Sequence, residues 1–138
     1  MGNEKLFENK VKRWLHSVGV YAAGTPTDKM PVPVIGWYVK FWGGGMSKAG
    51  IPDLILCVNG VFITAELKGE TGRPSDLQRL NTARINQSNG IGIILYPAGF
   101  EQFQQLIKGV IECNGHTVAL NALKVAASST KCVILTDY

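Results

Sequence analysis

Asp53, Glu66 and Lys68 are charged residues set into otherwise apolar sequence. Between the two acids lie two runs of strand-forming residues, 53–58 and 61–67, separated by Asn59-Gly60. Asn-Gly between apolar runs is the strongest short-range signal for a β-hairpin, because a two-residue type I′ turn needs positive φ at both positions. Such a turn sets residue 58 against 61 and 57 against 62, and the same register carried outward sets Asp53 against Glu66. Directly opposed side chains have β-carbons ~4.5–5.5 Å apart. Lys68, two residues beyond Glu66, points to the same side of the ribbon.

Opposed like charges destabilise a sheet unless something compensates. Lys68 offsets part of the repulsion, and a hard divalent cation would offset more. Mg²⁺ is held by one or two carboxylates together with waters and substrate phosphate oxygens, and two acids with a neighbouring ammonium offer that environment. A solvated ion-pair cluster at a fraying strand end has the same spacing, and a bulge in either strand would break the register. The remaining residues of the hairpin divide by parity. Leu54, Leu56, Val58, Val61, Ile63, Ala65 and Leu67 form an apolar face bound for the core, while Ile55, Cys57, Phe62 and Thr64 share the other face with the acids.

The elements around this hairpin follow from periodicity and punctuation. Residues 4–18 carry Phe7, Val11, Trp14, Leu15 and Val18 on one helical stripe, with Gly19 as a stop. Residues 24–36 hold three prolines and read as an irregular connection. "WYVKFW", 37–42, alternates as a strand, and its aromatics are expected to serve the core rather than to stack on bases. A glycine-rich loop, 43–50, leads to the hairpin. Ser75 caps a predicted helix over 76–88 with Leu77, Leu80 and Ile85 inward. A buried strand at 91–96 and an amphipathic helix at 100–112 follow. Residues 113–138 are the least legible, with a short helix near 121–127 and a strand "KCVILT".

At 138 residues with 46 % hydrophobic content, the chain is expected to form one domain, 1–138, with a core over about 4–112 and an undetermined tail over 113–138. No apolar run approaches the ~20 residues of a membrane helix. The charged N-terminus does not read as a secretory signal, and Leu6 stands where a myristoylation motif needs Ser or Thr. A cytoplasmic setting is the expectation. Cys57, Cys113 and Cys132 are too dispersed for a disulfide framework or a zinc site, and Cys57 is expected to be a small buried hydrophobe. Lys and Arg outnumber Asp and Glu by 11 to 7 in residues 1–84 and match them at 3 to 3 afterwards, so the net charge of +4 resides beside the acids and points to an anionic partner there.

Pro52-Asp53 followed by Glu66-Leu67-Lys68 resembles the PD-(D/E)XK nuclease signature. "FENKVKRWLHSVG" before it, "FWGGGMSKAGIPD" leading into it and "SDLQRL" after it resemble the VRR-NUC family, whose small single-domain members occur in phages and bacteria. The similarity spans about residues 4–97. It implies an α/β fold with an αβββαβ core, a central mixed sheet flanked by helices. It also implies a Mg²⁺- or Mn²⁺-dependent phosphodiesterase and a homodimer acting on branched DNA such as Holliday junctions, in a bacterial cytoplasm and with a phage origin open.

Position by position, the resemblance assigns Asp53 and Glu66 as metal ligands, the Leu67 backbone carbonyl as a further ligand, and Lys68 as the group that orients the attacking water and stabilises charge on the scissile phosphate. Glu8 matches the first-helix glutamate, reaching the metal through water, with Glu4 as its rival one turn earlier. Gln78 matches the glutamine of the following helix, hydrogen-bonded to a metal ligand or the nucleophile, against the alternative of an ordinary exposed residue. Candidate DNA contacts are Ser47 and Lys48 with Gly44 and Gly45 on the glycine loop, Arg73 after the motif strand, and Lys10, Lys12 and Arg13 on the first helix. Any of these charges can instead be plain solvated surface, and the loop merely flexible. His16 and His116 lie off the motif and are expected to be structural.

Three functions are therefore open: a structure-specific endonuclease resembling a junction resolvase, a nuclease of the same fold acting on flaps, single strands or duplex, and a non-catalytic DNA-binding or assembly protein.

Overall fold

The computed structural model describes residues 2–41, 49–113, 117–129 and 131–136. Its centre is a mixed sheet of six strands in chain order: β1 (Val20–Ala22), β2 (Gly36–Lys40), β3 (Leu54–Val58), β4 (Val61–Leu67), β5 (Ile91–Leu95) and β6 (Cys132–Ile134). β1 and β2 run parallel, β2, β3 and β4 antiparallel, β4 and β5 parallel, and β6 closes the sheet antiparallel to β5. Four helices flank it: α1 (Asn3–Ser17), α2 (Asp76–Gln87), α3 (Phe100–Glu112) and α4 (Thr117–Ala127). The fold is mixed α/β, as expected.

The two faces of the sheet are covered unequally. Leu54, Leu56, Val58, Val61, Ile63, Ala65 and Leu67 are all buried, in one cluster with Phe7, Val11 and Leu15 of α1 and with Phe103, Leu106, Ile107 and Val110 of α3. Trp14 closes this cluster edge-on against Phe100 and Phe103. On the other face, α2 lies over β5. Adding a β-carbon to Gly92 would bring it within 2.8 Å of the Thr82 carbonyl, so glycine permits this close approach. The Asn86 side chain locks the same contact by donating to the Gly92 carbonyl and accepting from its amide.

Because α2 sits over β5, the far end of that face is open. Trp37, Cys57 and Phe62 are cross-strand partners there, and all three are exposed. Cys57 is thus not the buried hydrophobe that its strand pattern implies. In the aromatic strand, Tyr38 alone of the described aromatics turns into the core; Trp37 and Phe41 stand 49 % and 40 % exposed. Leu77 is also exposed, because α2 buries the stripe of Thr82, Ala83 and Asn86 and turns Leu77 toward the loop at Gly50.

One element goes beyond the sequence reading: the stretch after Gly19 forms β1. The helix expected near 121–127 is α4, which begins earlier at Thr117, and the strand expected in "KCVILT" is β6, which extends the chain's own sheet. No described helix is long and apolar enough to cross a membrane.

Candidate active site

The hairpin turn sets the site. Asn59 and Gly60 have φ of 49° and 80°, as a type I′ turn requires. The Asn59 side chain also donates to the carbonyls of Val110, Ile111 and Cys113, which ties the turn to the end of α3. From there the ladder runs without a bulge from Val58↔Val61 to Leu54↔Ala65, and one further step opposes Asp53 to Glu66. β3 begins at Leu54, one residue after the predicted start, yet the Asp53 carbonyl still accepts from the amide of Phe41, the residue that follows β2.

Asp53 turns its carboxylate back on the partner strand: Oδ2 accepts the Leu67 amide at 2.8 Å. The continued register would set Leu67 against Pro52, which has no N–H to give. In a strand the N–H and C=O of one residue point to the same side. The Leu67 carbonyl is therefore directed toward Asp53, past the end of β3, where the register offers it no donor.

Glu66 is 4 % exposed. Its Oε1 accepts from Gln78 Nε2 at 2.7 Å and lies 3.5 Å from Lys68 Nζ. Its Oε2 is buried and finds no hydrogen-bond partner among the described residues. Burial pushes this carboxyl up to about 7, and the charge of Asp53 adds to the effect. Lys68 pulls the other way, as does the Asp53 backbone amide. Gln78 is itself fixed by a capping box: its amide donates to Ser75 Oγ and its Oε1 accepts from the Ser75 amide. A helix cap thus aims the carboxamide that orients Glu66, so Gln78 is not an ordinary exposed residue.

Glu8, at the edge of the helical stripe one turn before Val11, is buried, but its partners are lysines. Oε1 pairs with Lys40, and Oε2 pairs with Lys5 at 2.7 Å and Lys12 at 3.0 Å. Burial would raise its pKa, but the bonds to Lys40, Lys5 and Lys12 outweigh it and hold the carboxyl at about 2. No sequence motif singles out Lys40, although it shares the strand parity of the buried Tyr38. Glu4 lies against the end of β4, its Cβ within 3.8 Å of a β-carbon built on Gly69.

Of the basic candidates, Lys12 is engaged with Glu8, Lys10 sits over the Phe100 ring at 4.9 Å, and Arg73 is exposed after the motif strand. Gly44, Gly45, Ser47 and Lys48 lie outside the described residues, as does His116. His16 packs edge-on against Tyr21.

No group of three His, Cys, Asp or Glu able to hold a metal ion occurs among the described residues. The donors at hand are two carboxylates and a strand-end carbonyl. That set fits a hard cation that keeps several waters and fits neither zinc nor a closed all-protein cage. A cation at this point would give the partnerless Oε2 of Glu66 a counterpart and offset the burial of its charge beside Asp53.

Comparison with protein-family models, with curated proteins and with solved structures returns no match for this chain.

Proposed function

We propose that the chain is a divalent-metal-dependent DNA endonuclease with a PD-(D/E)XK core, acting on branched DNA in the manner of a junction resolvase. The observation that carries this reading is a buried, half-satisfied Glu66 that feels the charge of Asp53, one step beyond the last Leu54↔Ala65 pair of the hairpin, with Lys68 beside it. A structural ion pair needs no second acid and no buried oxygen without a partner. The succession α1, β2, β3, β4, α2, β5 is compatible with an αβββαβ core, with β1 inserted between α1 and β2, and lends the reading support.

In this reading Asp53, Glu66 and the Leu67 carbonyl hold Mg²⁺ or Mn²⁺. Such an ion supplies a water of lowered pKa and a Lewis acid for phosphate oxygen. The chain's own residues do the rest. Lys68, 14 % exposed at its side chain, brings a fixed positive charge to the phosphate as negative charge develops. Gln78 keeps one Glu66 oxygen turned toward α2, leaving the other for the cation. The Leu67 amide holds Asp53 in place. Glu8 enters through a water, from within its lysine cluster. The basic excess of residues 1–84 supplies phosphate contacts without sequence readout.

A two-fold junction calls for two active sites related by a dyad, so a homodimer belongs to the proposal. Four-way, flap, splayed and linear DNA offered with increasing Mg²⁺ or Mn²⁺ test it. Paired symmetric nicks in the four-way substrate are expected. Cleavage confined to flaps or single strands would reassign the substrate, and DNA binding with no cleavage of any substrate would favour a non-catalytic role.

A further inference from the structure

Beside the two acids, on the same sheet face, lies a cavity of about 400 Å³. Pro52 and Ile55 line one side, Phe62 and Ile85 the other, with Asn81 and Arg84 of α2 among them. Thr64 also lines it and lies two residues before Glu66 on the same strand face, about 7 Å along the strand. The volume falls in the range of small-ligand pockets. We propose that this pocket receives one unstacked nucleobase of the strand whose backbone enters the Asp53–Glu66–Lys68 centre.

The inference rests on the nuclease reading and specifies its substrate: DNA with an unpaired or extrudable base next to the cut. Three features select a base. First, the pocket borders the phosphate-handling centre: Pro52 directly precedes Asp53 and Thr64 stands two residues before Glu66, a separation that one nucleotide can span. Second, Phe62 is 49 % exposed and shares its cross-strand row with Trp37, also 49 % exposed. Exposed aromatic rings on a sheet are stacking platforms that accept any base. Third, the polar groups suit a base edge. The Asn81 amide is positioned by its donation to the Gly50 carbonyl at 2.9 Å and keeps an acceptor oxygen. Arg84 gives one of its five donors to Gln87 and brings positive charge to a polyanion's site.

The test measures binding by fluorescence anisotropy, with Ca²⁺ in place of Mg²⁺, to a splayed DNA and to a series carrying one abasic site at each position near the branch. One abasic position should weaken binding by the parent roughly 5- to 150-fold, the range for loss of one stacked base. Phe62→Ala should lose a similar factor on intact DNA and nothing more at the abasic position, and Phe62→Tyr should restore the parent's behaviour. A flat abasic scan, or an abasic penalty unchanged in Phe62→Ala, would overturn the pocket assignment. If the scan is flat while Lys68→Ala abolishes cleavage, the pocket falls and the nuclease reading stands; if no DNA is bound at all, both fall. Light scattering that shows Phe62→Ala converting a dimer to a monomer would make this face a self-association surface and refute the proposal.

Discussion

Replacing Glu66 with glutamine should stabilise the protein at alkaline pH while removing its function. Glu66→Gln keeps the size and an Oε1 that accepts from Gln78, and it deletes a charge buried against Asp53. The glutamate carboxyl is pushed from 4.5 to about 7 in the folded protein. Below pH 4.5 folded and unfolded chains both hold the proton, and Glu66 contributes no pH dependence. As pH rises from 4.5 through 7 the unfolded chain releases the proton first, so stability is lost over that window. The shift corresponds to about 3 kcal/mol above pH 7, an order-of-magnitude figure. For a domain of this size that is on the order of 10 °C in melting temperature. Thermal unfolding by circular dichroism in EDTA, from pH 4.5 to 8.5, reads it directly. Glu66→Gln should melt well above the parent at pH 8, and the two should converge near pH 4.5. A gap that does not change with pH, or a variant less stable than the parent at pH 8, would refute the description of Glu66 as a buried, repelled acid.

Other outcomes follow from the same geometry. Mg²⁺ should raise the parent's melting temperature more at pH 8 than at pH 5, because the ion competes with the Glu66 proton, and EDTA should reverse it; equal shifts at both pH values would contradict this. Glu8→Gln should cost about 3 kcal/mol by urea titration at pH 7, since three lysines lose their anion, and the loss should shrink as pH falls from 4.5 toward 2, where the native Glu8 gains its own proton. If Glu8 also reaches the metal through water, the same variant will need more Mn²⁺ for half-maximal cleavage; an unchanged requirement limits Glu8 to the lysine cluster. Asn59→Gly keeps the positive φ but loses three hydrogen bonds to the end of α3, so about 1–3 kcal/mol should be lost, with Asn59→Ala losing more. Chemical denaturation that ranks alanine above glycine would contradict the turn assignment.

The parts of the fold readable from sequence are those whose cause is local. Asn59-Gly60 determines its own turn, alternation on both sides gives the register, and register alone opposes Asp53 to Glu66. The span of α3, Phe100–Glu112, follows from its apolar stripe. What could not be read depends on what covers a surface. Cys57 looks like a buried strand residue, and its exposure results from α2 packing over β5 rather than over the hairpin. β1 has three residues and gains its identity only by pairing with β2 across an irregular connection. Glu8 lies at the edge of the buried stripe as its spacing indicates, but its neighbour Lys40 comes from a strand 32 residues away, beyond the reach of helical periodicity. Gln78 is assigned through the family resemblance, and its hold on Glu66 depends on a capping box whose Ser75 is legible in the sequence but whose aim is not.

The central claim is that Asp53 and Glu66 together bind one divalent cation used to cut DNA. Calorimetric titration of Mn²⁺ into the parent and into Asp53→Asn, with junction cleavage measured on the same samples, tests it most directly. The account predicts one ion site per active centre in the parent, no detectable binding in Asp53→Asn, and loss of cleavage with it. An Asp53→Asn protein that binds Mn²⁺ and cuts DNA as the parent does would contradict it.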